Sequence, residues 1–491
     1  MTYNPYKTPV ISAKIHFISM TILKLTNQYI QPLINQMKIT KSRINTLNFI
    51  MTESIRINND LVKAIKDKSF KEFHKREYGE GVAEFDIFIN SPNEYSDKYK
   101  SDPRVQINLS NKSRSAILHM LKGIIKEDCL GMHLTINELY KDFKESFYNH
   151  IFIDKGELDY DGCSKILNNT VINVTRKFSD EDFYFPILAH GLGNEVIDLG
   201  IASIQPKDII FSQFESKFDT NIVDCANEFF NAQLYPYKHL LKITIRNCSK
   251  ERRNHLSKQL ANFIVGIIQI FSEHYGIDPD ILALSINPYP NYKSFHITNN
   301  SEGYNYNFSN KGTIAFSSEF WEKFRQDNRF DIGEIIKQII IRAANPKPEP
   351  LLLDRLIDAI FIFRSAMQDN DESSSIVKMT TALERLVNTR KENISATFRK
   401  RVVLLMEMYH KESNDWNKVV REMYQYRSSI VHGSWSLYRQ VEPLYIKKYS
   451  ELTSKAILSA CIAFFQVGLK RQDDVKVIDS LYDYLAKNQN P

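Results

Sequence analysis

The sequence predicts a multidomain α+β protein: a mixed helical and β N-terminal and central region followed by an all-α bundle. Three observations predict it. The chain has 491 residues, too many for one core of about 100 to 200 residues. Short β-type runs bounded by turn residues begin only after residue 150. A proline-marked linker, Asn345-Pro-Lys-Pro-Glu-Pro350, separates them from a stretch that reads as helix to the end.

The first region, 1–150, reads as mainly helical. Spaced Leu and Ile with few breakers run from Ile11 to Phe73, and a second helical stretch covers 111–149 around Ile117, Leu118, Leu121, Ile124 and Ile125. Gly79 to Pro103, rich in Gly, Asn, Asp, Ser and Pro, reads as turns and short strands. In the central region, 151–345, the strand candidates are Val171–Thr175, Phe183–Ile187, Ile197–Ile201 and Leu241–Ile245, with further pieces at Ile281–Ile286 and Gly312–Phe316. Apolar residues at helical spacing from Glu251 to Tyr275 place one helix among them. From 350 to 491 the pattern gives helices over Leu351–Met367, Ser375–Asn388, Ser395–Met408 with Ser395 as cap, Asp415–His432 with Asp415 as cap, and a long final helix from Pro443 to about Leu469.

Composition narrows the function. The hydrophobic fraction of 43% and charged fraction of 25% are those of a globular protein. A net charge of +6 permits an anionic partner such as RNA without demanding one. The five cysteines, Cys129, Cys163, Cys225, Cys248 and Cys461, are scattered with no C-x-x-C pair, which argues against a zinc site or a disulfide framework and fits a reducing cytoplasm. No apolar run approaches the roughly 20 residues of a membrane span, and no cofactor is expected.

Few motifs carry chemistry. His190-Gly-Leu-Gly-Asn-Glu-Val196 lacks the third glycine of a dinucleotide loop and reads as a hairpin turn. P-loop, nucleophile-elbow and H-E-x-x-H motifs are absent from the sequence. What remains is Arg427-Ser-Ser-Ile-Val-His432-Gly433. A histidine moves protons near neutral pH and an arginine holds and stabilises phosphate charge, the minimum for metal-independent phosphodiester cleavage. Residues five apart on a helix point about 140° from each other. Either the helix ends at Gly433 and frees His432 to turn, or two copies meet across a dimer axis. Spacing alone proves little, because Arg114-Ser-Ala-Ile-Leu-His119 repeats it within a helix that continues.

The order of features resembles the Apea-like branch of the HEPN superfamily, found in bacterial abortive-infection and related defence proteins. The resembling residues are Thr381-Ala-Leu-Glu384-Arg-Leu386, then Ile394-Ser-Ala-Thr-Phe-Arg399, then Tyr426-Arg427-Ser-Ser-Ile-Val-His432-Gly433 with the family's R-x4-6-H spacing, then a long apolar terminal helix. The resemblance covers about residues 350 to 491. It implies a helical bundle that dimerises so that two motifs line one cleft, and metal-independent RNA cleavage with Arg427 and His432 catalytic. It gives Glu384 an orienting role and places Ser428 where active members often carry Asn, Asp or His. Arg399, Lys400 and Arg401 are the expected RNA-facing cations. The whole is expected to act as a toxin-like or antiphage effector, regulated by residues 1–345 in response to a phage-derived or cellular trigger. The alternative is a non-catalytic RNA-binding or dimerisation module.

Overall fold

A computed structural model describes residues 39–78, 86–87, 108–127, 130–187, 189, 191–215, 224, 228, 238–275, 292–300, 303–310, 318–328, 331–345, 349–369, 371–389, 393–410, 415–434 and 443–488. The strand candidates at 281–286 and 312–316, the helical pattern at 11–38 and most of 79–103 lie outside them. The chain divides into two compact units: 1–179 with 247–252, and 180–246 with 253–491. The expected boundary at 150 therefore falls inside the first unit, and the one at 345–350 inside the second.

The first unit is a helical assembly. Helix α1 (Lys41–Lys66) is capped by Thr40, α2 (Phe70–Tyr78) follows, and a two-residue ladder pairs β1 (Asp86–Ile87) with β2 (Asn108–Leu109). Helices α3 (Asn111–Glu127), α4 (Ile136–Tyr148) and α5 (Tyr160–Thr175) complete it. Leu47, Ile50, Ile117, Leu121, Leu139, Phe143, Phe147, Ile166 and Val171 form its core. The 150 boundary fails because α5 adds Ile166, Leu167, Val171 and Val174 to that core. The same burial corrects the strand expected at Val171–Thr175. Asp159 caps a helix there, accepting from the Gly162 N–H at 2.7 Å, and a buried helical face overrides the β preference of the β-branched run. Arg114 and His119 sit mid-helix in α3, which continues to Glu127.

Except for Ser179 and the end of β6, the second unit holds a sheet of β3 (Ser179–Ile187), β4 (Ile197–Asp198), β5 (Ala202–Pro206) and β6 (His239–Cys248) in the order β3-β6-β5-β4. Strand β5 pairs antiparallel with β6, Ile204 opposite Leu241, and with β4, Ile197 opposite Ile204. Three of the expected central strands are thus present. The described residues 191–196 of the expected hairpin turn do not join neighbouring strands, since β3 and β4 lie on opposite edges. Gly191 and Gly193 adopt φ of 83° and 70°, and the Gly193 carbonyl accepts a 2.7 Å hydrogen bond from His239. Helix α6 (Lys207–Glu215) follows β5, and β7 (Tyr292–Asn300) pairs with β8 (Gly303–Asn310) in a separate antiparallel ribbon.

Helix α7 (Lys250–His274) is buried on nearly every side from Leu260 to Phe271, the mark of a central helix. Helices α8 (Ser318–Asp327) and α9 (Asp331–Ala344) come later in the chain, and then α10 (Leu352–Met367), α11 (Glu372–Val387), α12 (Ile394–Tyr409), α13 (Trp416–Val431), α14 (Pro443–Val467) and α15 (Val475–Asn488) follow. Phe263 of α7 meets Phe361 of α10 with ring centroids 4.8 Å apart. The Cβ of Arg364 stands 3.0 Å from where a Cβ on Gly266 would lie, so helices α7 and α10 pack as closely as glycine permits. Arg342 of α9 forks onto Asp354 of α10 at 2.8 and 2.6 Å. These contacts join α7 and α9 to the last six helices.

Two helix ends depart from expectation. The cap of α12 is Asn393 at φ 52°, not Ser395. Helix α14 is not the last, because α15 returns to the bundle through Ile478, Leu481, Tyr482 and Leu485. Asp473, just before α15, accepts from Arg355 at 2.6 Å. Asp415 caps α13 as expected, accepting from the Lys418 N–H. Among the described residues no helix is long and apolar enough to cross a membrane, and Cys163, Cys248 and Cys461 are buried.

Candidate active site

Helix α13 supplies the motif. Val419, Val420 and Met423 bury one side of it, which turns Tyr424 and Arg427, one turn apart, toward α11 and α12. Arg427 Nη2 lies 3.6 Å from Glu384 Oε2, both side chains mostly covered at 26% and 17% exposure. Tyr424 presents its ring to the guanidinium, 5.8 Å from centroid to Cζ, and leans on Phe398 of α12 with centroids 5.0 Å apart.

The pair with Glu384 is a Coulombic contact beyond normal hydrogen-bond length. Arg427 Nε is buried with no hydrogen-bond partner. Among the described residues the guanidinium thus makes no hydrogen bond to the rest of the chain, unlike Arg355 and Arg401, which donate to Asp473 and Asp479, and the donors it can offer outward are the terminal Nη groups. A planar cation with free parallel donors matches the oxygens of a phosphate. Burial pushes the Glu384 carboxyl above the usual carboxylate range, and the Arg427 charge opposes this only in part. Burial likewise raises the Tyr424 hydroxyl, helped by Glu384 and opposed by Arg427.

Helix α13 ends as the glycine foretells. The His432 N–H donates to Ser428 O at 3.0 Å and the Gly433 N–H to Ile430 O at 3.2 Å, with Gly433 at φ 72°. His432 is the C-cap and is exposed. Among the described residues no hydrogen bond or ion pair joins it to Arg427. The helix end frees His432 without turning it onto Arg427, so within one chain the two are presented separately. Ser428 is half-buried on the intervening turn.

The three candidate RNA-facing cations do not form one patch. Lys400 is exposed, and Arg399 donates to the Ser395 carbonyl of its own helix at 3.4 Å. Arg401 turns inward, donating to Val387 O at 2.7 Å, pairing with Asp479 and stacking 4.9 Å over Tyr482. Consecutive helical residues point about 100° apart, and the arrival of α15 beside Arg401 explains its capture. Sequence reading missed Tyr424. The available signal was its i,i+3 spacing to Arg427.

Among the described residues no cluster of His, Cys, Asp and Glu is arranged to hold a metal ion. Comparisons of the chain with protein-family models, curated proteins and solved structures give no match.

Proposed function

We propose that this protein is a metal-independent endoribonuclease of the HEPN type, acting as a toxin-like or antiphage effector. The observation that supports it best is the Arg427 guanidinium, held in place by Glu384 and Tyr424 while its terminal Nη donors stay free. In this reading Arg427 binds the scissile phosphate and stabilises the charge that develops on it. His432 exchanges a proton with the ribose 2′-hydroxyl or the leaving oxygen. The bond from the 2′-oxygen to phosphorus forms as the bond to the leaving oxygen breaks. One such acid–base group contributes about 10² to 10⁴ in rate. Because Arg427 and His432 do not touch within one chain, the complete site is composite, with each copy of a dimer lending its motif to a shared cleft. Residues 1–345 restrain or release it in response to a phage-derived or cellular trigger.

Ser428 favours a second reading. A hydroxyl brings neither charge nor proton-transfer capacity, which suits a non-catalytic RNA-binding or dimerisation module. Incubation of the purified protein with total RNA in EDTA, beside Arg427→Ala and His432→Ala, separates the two. The ribonuclease reading expects cleavage by the parent protein and loss of about a hundredfold or more in each variant. RNA left intact by the parent, or cut equally well by both variants, overturns it.

A further inference from the structure

Four side chains from three helices converge on the Arg427 guanidinium's surroundings: Glu384 from α11, Phe398 from α12, and Tyr424 with Arg427 itself from α13. Phe398 is fully buried, so the wall on which the Tyr424 ring leans is part of the core and cannot drift. The ring passes that rigidity on. It lies within the roughly 6 Å at which a cation is drawn to an aromatic face. That attraction is between the cation's charge and the ring's face and occupies none of the N–H donors in a hydrogen bond. A carboxylate placed at hydrogen-bonding distance would hold the group as firmly but would compete with an incoming anion for the same fork.

We infer that Tyr424 is a positioning residue for Arg427, an aromatic wall that steadies the guanidinium while leaving its terminal Nη donors free for a phosphodiester. The substrate class in this statement rests on the ribonuclease reading above; the geometric role does not. The ring is the working part, since the guanidinium carbon stands over the ring face. Replacement by phenylalanine therefore preserves the role and replacement by an aliphatic side chain removes it. Tyr424 is only half-buried, so the aliphatic variant keeps most of the surrounding core.

The test uses the full-length protein with Tyr424→Phe, Tyr424→Leu and Tyr424→Met, the last being an unbranched filler should leucine lower the melting temperature. Two readouts are taken. The first is the rate at which an arginine-selective dicarbonyl reagent modifies Arg427 in the unliganded protein, followed by peptide mass. The second is kcat and KM for RNA cleavage in EDTA. Leucine and methionine are expected to raise Arg427 modification severalfold. They are also expected to lower kcat/KM by about three- to tenfold, the range that a partly buried cation–π contact supports. Phenylalanine is expected to stay within about twofold of the parent in both. Modification rates unchanged by leucine and methionine overturn the inference. So does a phenylalanine variant that fails like leucine, which would assign the role to the hydroxyl. If the parent leaves RNA intact, the ribonuclease reading falls, while the modification rates still decide the role of Tyr424.

Discussion

At the scale of residues, Glu384 sets the character of the site. A carboxylate sheltered by helices prefers to be neutral, and the single cation beside it, 3.6 Å away, compensates only in part. The sign of its contribution follows from that raised pKa. A carboxyl whose folded pKa exceeds its unfolded value of about 4.3 adds stability at low pH, and that stability is lost as pH rises through the folded pKa. The ionised group is therefore a net burden at neutral pH. Glu384→Gln is expected to melt at the same or a higher temperature than the parent at pH 7, with the difference shrinking toward pH 4. A lower melting temperature at pH 7 would show that the Arg427 pair outweighs the desolvation. The same substitution leaves Arg427 without its neighbouring charge.

At the scale of elements, helix ends carry the information. Asp415 opens α13 and Gly433 closes it, and between them the chain sets how far His432 stands from the bundle. A Cβ at Gly433 would meet nothing within 4 Å, so substitution there costs only the left-handed backbone, roughly 1 kcal/mol for alanine. Gly433→Ala is accordingly expected to lower stability by about that amount in denaturant titration. If the proposed ribonuclease reading holds, its larger expected effect is on RNA cleavage, because the C-cap that carries His432 is remade. A variant that retained full activity would mean that the orientation of the helix end is unimportant. The corner between α10 and α11 shows the same economy of means. Asp369 accepts from Lys378 at 2.6 Å and from the Asp371 N–H at 3.1 Å. Burial pushes its carboxyl up, but these bonds and that from Ser374 outweigh the penalty and hold its pKa down at about 2.

At the scale of the whole molecule, the last six helices are not a free-standing domain. Helix α7 fills one side of α10 through Phe263 and Gly266, and α9 is clamped to α10 by the Arg342–Asp354 fork. A fragment of residues 350–491 strips those partners and uncovers Phe361 and Ile360 of α10, which face Phe263 and Gly266 in the full chain. That fragment is expected to aggregate or bind a hydrophobic dye, whereas one of residues 180–491 is expected to melt in a single cooperative transition. Equal behaviour of the two fragments in calorimetry would restore the proline segment as a true domain boundary.

By itself the sequence determined five of the six helices after residue 350, three strands of the central sheet, the cap at Asp415 and the glycine that ends α13. Each of these is written in local chemistry: the 3.6-residue period, the side-chain oxygen before a helix, the one residue that tolerates positive φ. Only the tertiary structure decided that Val171–Thr175 ends a helix, that Arg401 is taken by Asp479 and that α7 belongs with the terminal bundle. Those outcomes depend on which distant surface arrives to bury a residue, and no local pattern encodes that arrival. Arg427 and His432 stand between the two cases. Their positions are legible in the motif, but the free terminal donors of Arg427 exist only because Tyr424, Phe398 and Glu384 come from three helices to hold the guanidinium without hydrogen bonds.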